Sequence, residues 1–92
     1  MKRESYDKVR GLLSKIDELS NSADITSEIL ESVKKNGGTA RIHTYTGGKS
    51  YETEIASKTL EVVFTDVLNT YHDLIRKNKS EIDKVLDSTI GE

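Results

Sequence analysis

Apolar residues recur every three or four positions from Tyr6 onward, which is the spacing of one helix face. The heptad register continues unchanged through the polar segment Ser20-Asn21-Ser22. Its two seam series are Val9, Ile16, Ala23, Leu30 and Leu12, Leu19, Thr26, Val33. The polar segment falls on the outer face in that register, where each residue costs only about a few tenths of a kcal/mol in helix propensity. The pattern favours one long helix from about Ser5 to Lys35.

A break near residues 20–24 is the alternative to one continuous helix. Ser22 or Asp24 can serve as the N-cap of a second helix. Ile25 and Ile29 lie off the continuous seam, which keeps this alternative open.

The end of the first helix is better defined than its middle. Lys34 and Lys35 complement the negative C-terminal end of the helix dipole. Asn36-Gly37-Gly38 then supplies residues that readily adopt the left-handed conformation of a C-cap.

A β-hairpin is predicted between Thr39 and Ile55. Residues 40–45 and 50–55 alternate with period two, and Gly47-Gly48 suits a two-residue turn with positive φ angles. The register pairs Ala40 with Ile55, Ile42 with Thr53 and Thr44 with Tyr51 on one face, and Arg41 with Glu54 and His43 with Glu52 on the other. Because an isolated two-stranded ribbon is marginal in water, its inner face is expected to lie on the helices or on another subunit.

The second helical pattern opens at Ser57, which can cap a helix from Lys58 to about Ser88. Its apolar stripe consists of Leu60, Val63, Phe64, Val67, Leu68, Tyr71, Leu74, Ile75, Ile82, Val85 and Leu86. Asn78 occupies the seam position between Tyr71 and Val85. It is either a buried polar residue that fixes the helix register or a point where the helix frays or faces water.

The two helical patterns have nearly equal length, so the expected fold is a single α+β domain over residues 1–92. Two long antiparallel helices are joined by the hairpin in the order α-β-β-α. Two such helices enclose no core, and the stripe on the second helix is too broad for one neighbour. A dimer that forms a four-helix bundle, or a higher closed oligomer, would cover it. The expected interface residues are Leu12, Ile16, Leu19, Phe64, Leu68, Tyr71 and Ile75.

Composition limits the classes of function. Apolar residues make up 34% of the chain and charged residues 33%, a balance typical of exposed helices with narrow apolar stripes. The net charge of −2 argues against a dedicated nucleic-acid binder. There is no cysteine, which excludes thiolate metal sites, and no long apolar run that indicates a membrane span or a signal peptide. A cytoplasmic protein is expected.

No arrangement of residues predicts catalysis, a cofactor or a metal. His43 and His72 are the only histidines and have no helical pairing, whereas catalytic metal sites usually need three ligands. Gly48-Lys49-Ser50 resembles the end of a phosphate-binding loop. The glycine that such a loop requires five residues earlier is replaced by His43, and an alternating strand follows instead of a helix.

The hairpin is the expected place for a ligand. Glycine amides, a guanidinium and aromatic rings can together hold an anionic, ring-containing molecule such as a nucleotide. The candidate residues are Arg41, His43, Tyr45, Gly47, Gly48, Lys49 and Tyr51. Arg41 and Lys49 would bind phosphate, the two tyrosines would stack, and His43 would donate a hydrogen bond. The alternative is an ordinary solvated strand face on which Glu54 satisfies Arg41.

The residues from Ala40 to Gly48, followed by Glu54-Ile55 and Leu60-Glu61-Val62-Val63, carry a resemblance. They resemble small bacteriophage and prophage proteins with a long helix, an Arg-Ile-x-x-Tyr-x-Gly-Gly hairpin and a second helix. The resemblance implies a phage-encoded accessory protein of the host cytoplasm. Such proteins include sponges that sequester nucleotide immune signals. Others bind host proteins directly. The expected function is therefore anti-defence capture of a nucleotide-like ligand, with inhibition or scaffolding of a host or phage protein as the alternative.

Overall fold

A computed structural model describes residues 2–90 of the chain. The element order is α1 (Arg3–Asn36), β1 (Thr39–Thr46), β2 (Lys49–Ala56) and α2 (Ser57–Ile90). The predicted α+β class and α-β-β-α order are confirmed. Residues 1, 91 and 92 of the predicted domain lie outside the described part.

Helix α1 is continuous through the polar segment, so the prediction of one long helix is confirmed and the two-helix alternative is wrong. Its buried residues are Leu19, Ala23, Thr26 and Leu30. All four belong to the two heptad series, which therefore form the face of α1 that packs against α2. Thr26 is the one polar member, and its Oγ1 donates a hydrogen bond of 2.7 Å to the carbonyl oxygen of Ser22. This bond satisfies the buried hydroxyl without interrupting the helix.

The junction between the helices and the strands differs from the prediction at Ser57. Gly37 ends α1 with φ 69°, and its N–H donates to the carbonyl oxygen of Val33 at 2.8 Å, as expected for a C-cap. Ser57 is the first residue of α2, and its Oγ contacts Gly38 across the junction. The hydroxyl accepts from Gly38 N–H at 2.9 Å and donates to Gly38 C=O at 2.8 Å. The predicted helix cap is thus a clamp between the end of α1 and the start of α2.

The two helices pack along each other and run antiparallel. The paired strands and the Ser57 clamp place the end of α1 beside the start of α2. Each helix has 34 residues, or about 51 Å at 1.5 Å per residue. The molecule measures 54 Å along its longest axis, so the helices lie side by side. On α2, Leu60 and Val85 are buried, and Asn78 is half-buried within an unbroken helix, which rules out fraying at that position.

The two strands form a ribbon that projects away from the helices. Each strand has eight residues, about 26 Å at 3.3 Å per residue. A ribbon collinear with the helices would make the molecule far longer than 54 Å, whereas its second dimension is 37 Å. Within residues 2–90 the ribbon contacts α2 alone, and these contacts are sparse. The expectation that its inner face lies on the helices is therefore met only at the base, where Ala40 and Ile55 are half-buried.

Candidate functional site

The ribbon presents two faces whose side chains differ in character. The predicted register is confirmed, because Arg41 lies opposite Glu54 and Ile42 opposite Thr53. Side chains alternate along a strand. The first face, called the Arg41 face, carries Arg41, His43, Tyr45, Ser50, Glu52 and Glu54. The second, called the Ile42 face, carries Ala40, Ile42, Thr44, Lys49, Tyr51, Thr53 and Ile55.

Side chains on the Arg41 face contact diagonal neighbours, which corrects the predicted pairs. Arg41 Nε lies 3.3 Å from Glu52 Oε1, although Glu54 is the residue directly opposite. His43 Nε2 lies 2.7 Å from Ser50 Oγ, and its predicted partner was Glu52. Both side chains lean one step toward the turn, where the twist of a ribbon brings diagonal neighbours within reach. Arg41 and His43, two of the predicted ligand-binding residues, therefore each already have a partner within the ribbon.

The predicted ligand-binding residues fall into three groups. Arg41, His43 and Tyr45 share the Arg41 face, and Lys49 and Tyr51 lie on the Ile42 face. Gly47 and Gly48 form the turn at the tip. The two tyrosine rings are 73% and 54% exposed on opposite sides of the ribbon, so they cannot stack on one side of the same ligand within one chain.

The turn has the geometry that its glycines predict. Gly47 has φ 58° and Gly48 has φ 75°, the two positive angles of a type I′ turn. Lys49 begins strand β2 directly after the turn. A phosphate-binding loop requires a helix at this point, so its rejection agrees with the structure. The depression beside Arg41, lined by Glu52, Thr53 and Glu54, is open to solvent.

The residues predicted to join subunits divide between two places on the helices. Leu12, Ile16, Leu19, Phe64 and Tyr71 belong to the heptad series, and all of them except the buried Leu19 are half-buried. Leu19 is 8% exposed, so its side chain is covered within the protomer. Leu68 and Ile75 lie four residues beyond seam positions of α2 and stay half-buried.

Several large apolar side chains remain exposed in the described part of the chain. On the helices they are Tyr6, Leu13, Ile25, Ile29, Val62, Leu74 and Leu86, and on the ribbon Ile42, Tyr45 and Tyr51. The predicted interface set does not include Leu13, which is 52% exposed.

Neither helix of residues 2–90 is long and apolar enough to cross a bilayer. The described side chains also contain no group of three or more histidine, cysteine or acidic residues placed to hold a metal ion. In comparisons with known proteins, no protein-family model, no curated protein and no solved structure matches this chain.

Proposed function

We propose that this chain is a non-enzymatic, self-assembling binding module whose helices join copies of the chain and whose ribbon captures a partner protein. The observation that carries the proposal is the exposure of the ribbon. Ile42, Tyr45 and Tyr51 are 40%, 73% and 54% exposed on an element that the helices support only at its base. A bare two-stranded ribbon is marginally stable in water, so this element gains most from a partner that covers it.

Self-assembly is supported by the surface area of a single chain. The accessible area is 7061 Å², whereas a compact monomer of this mass exposes roughly 5,400 Å². The radius of gyration is 18.3 Å, against about 12 Å for a compact domain of this length. The excess of about 1,700 Å² is larger than the roughly 800 Å² per partner that a stable interface buries. One chain therefore leaves enough surface uncovered for a full dimer interface.

A protein partner suits the ribbon better than a small molecule does. Both strands have one unpaired edge, since the sheet contains only two strands. An extended segment of another protein can add to such an edge through backbone hydrogen bonds. Tyrosine is also enriched among the residues that contribute most to protein interfaces. Tyr45 and Tyr51, on opposite sides of the ribbon, could anchor a partner that wraps around it.

Capture of an anionic nucleotide-like ligand is the second candidate. The observation that favours it is the placement of Arg41, His43 and Tyr45 on one face of the ribbon. Two such faces from different copies could close around one ligand in an oligomer. Arg41 would have to exchange Glu52 for a phosphate, a small cost because the two side chains are 75% and 52% exposed.

The resemblance to small phage proteins fits both candidates. Under the first, the captured protein belongs to the host or to the phage, and the module inhibits or scaffolds it. Under the second, the module removes a nucleotide immune signal. The second is an anti-defence role within a bacterial host.

Protein capture is tested with tagged chains in a bacterial lysate. The wild type, the double variant Tyr45→Ser/Tyr51→Ser and the control Val62→Ser are compared by quantitative mass spectrometry. Val62 is 63% exposed on α2, so the control removes a comparable exposed apolar group from outside the ribbon. The proposal expects a protein that the wild type and the control enrich and the double variant loses, and that binds the purified wild type in calorimetry. If no protein shows this pattern, the ribbon is not a protein-binding surface.

Nucleotide capture is tested by thermal shift against cyclic dinucleotides and ADP-ribose derivatives. A bound ligand at a hundredfold excess over its Kd stabilises the folded chain by about 2.7 kcal/mol. Arg41→Ala should abolish the shift, whereas Lys49→Ala on the other face should retain it. A shift in the wild type that Arg41→Ala leaves unchanged would place the ligand elsewhere.

A further inference from the structure

The two sides of the helix pair can be told apart by position relative to the seam. Viewed along the axis of the pair, one helix turns clockwise and the other anticlockwise as the residue number increases, because the helices are antiparallel. The same offset from the seam therefore leads to the same side on both helices. Leu13 lies four residues after seam residue Val9, and Ile75 lies four residues after seam residue Tyr71. Both occupy the same heptad position, so they share one side of the pair.

That side is apolar along most of its length and is called the apolar face. Its large side chains are Tyr6, Leu13, Leu68, Ile75 and Ile82. Tyr6 and Leu13 are 56% and 52% exposed, and the three residues of α2 are half-buried. The intervening members of this heptad position in α1 are Ser20 and Ser27, whose small side chains permit close approach. No charged residue occupies this position between residues 6 and 27 or between residues 68 and 89.

The opposite side carries lysines at the equivalent heptad position and is called the lysine face. Its lysines are Lys8, Lys15, Lys77 and Lys84, all exposed and all in the half of the helix pair away from the ribbon, whereas Ile29 and Val63 occupy the same heptad position nearer the ribbon. Because both helices have 34 residues and run antiparallel, Lys8 lies level with Lys84 and Lys15 level with Lys77. Burying these like charges against a second copy would be costly, since each would lose its hydration beside another positive charge. The lysine half of this side is therefore suited to remain in water.

We infer that the apolar face is the surface through which two copies of this chain associate, an inference that rests on the proposed self-assembly. The uncharged part of the face spans 22 residues of each helix, about 33 Å, and is two helices, or about 20 Å, wide. It covers roughly 660 Å² on each copy, so two copies would bury about 1,300 Å² in total, within the roughly 1,200–2,000 Å² of stable interfaces. A second copy brings the same row of uncharged residues, so the two faces can join with two-fold symmetry into a four-helix bundle. The interface is thus centred on Leu13, Leu68, Ile75 and Ile82, to one side of the seam.

Two matched charge variants test which face is used. Leu13 and Ile25 both lie on α1, are 52% and 50% exposed, and fall on opposite sides of the seam. Neither substitution by lysine disturbs the packing within one chain, because both positions are half exposed there. Light scattering should give a dimer for the wild type and Ile25→Lys, and a monomer for Leu13→Lys at the same micromolar concentration.

The possible outcomes distinguish a wrongly assigned interface from the absence of self-assembly. If the wild type is a dimer that dissociates in Ile25→Lys but not in Leu13→Lys, the apolar face is not the interface, although self-assembly still holds. A dimer that neither variant dissociates would overturn the apolar face in the same way. A monomeric wild type would overturn self-assembly and the inference with it.

Thiol labelling gives a second readout that does not depend on the stability of a charged variant. The chain contains no cysteine, so Leu13→Cys and Ile25→Cys each introduce a single reactive site. At concentrations where the wild type is dimeric, maleimide should react at least tenfold more slowly with Leu13→Cys than with Ile25→Cys. Dilution to concentrations where the chain is monomeric should make the two rates equal. Equal rates at both concentrations would contradict burial of the apolar face.

Discussion

Gly47 and Gly48 hold the two positive φ angles on which the ribbon depends. A Cβ at Gly48 would meet no atom within 4 Å, so a substitution there tests backbone conformation alone. Gly48→Ala should lower the free energy of unfolding by about 1–2 kcal/mol, the penalty for a left-handed L-residue. Gly11→Ala in α1 is the matched control and should raise it by about 0.5–1 kcal/mol. Urea unfolding at one protein concentration measures the free energy of unfolding of both variants. A Gly48→Ala variant as stable as the wild type would contradict the turn type.

Ser57 provides a second test at the residue scale. Its hydroxyl makes two hydrogen bonds to Gly38, so Ser57→Ala should cost about 1–2 kcal/mol. Ser80→Ala, at an exposed position within α2, should be neutral or slightly stabilising because alanine favours the helix. Equal unfolding midpoints for the two variants would show that the clamp contributes nothing to stability.

Contacts of individual side chains were predicted less well than the register of the two strands. The Gly-Gly turn and the alternation determine which residues face each other across the ribbon, and that register is confirmed. Arg41 nevertheless contacts Glu52, and Ser57 contacts Gly38. Both contacts depend on the twist of the ribbon and the angle of the junction. These are properties of the assembled backbone that a residue pattern does not contain.

The packed seam is the main stabilising feature at the scale of the helices. Leu60 is 2% exposed and is the most deeply buried large side chain in the described part of the chain. Leu60→Ala should therefore cost about 2–5 kcal/mol. Val62→Ala, two residues along the same helix at a position 63% exposed, should stay within about 0.5 kcal/mol. Chemical denaturation of both variants tests the difference, and similar losses would contradict the assigned seam.

The heptad series predicted α1, because each of its buried residues belongs to one of the two series. In α1 the series was sufficient to predict continuity through residues 20–22, since a polar residue outside the seam does not interrupt packing. The same series did not separate the contact between α1 and α2 from a contact between subunits. Leu19 and Leu68 are both apolar at helical spacing, and only the position of the partner helix shows that Leu19 is already covered.

At the scale of the whole molecule, folding should be coupled to association. One chain buries about half of the surface of its unfolded state, less than the roughly 60% typical of even smaller domains. The midpoint of thermal unfolding should therefore rise with protein concentration, because association stabilises the folded state by mass action. Circular dichroism melts over a hundredfold concentration range measure this. A midpoint independent of concentration would indicate a chain that folds alone.

Self-association of the thin helical pair is the claim on which the binding module and its apolar face both depend. Sedimentation equilibrium of the wild-type chain at micromolar concentration tests it most directly. The expected result is a single species of twice the chain mass of 10.3 kDa, or a higher closed multiple of it. A single species of 10.3 kDa across the whole concentration range would contradict it.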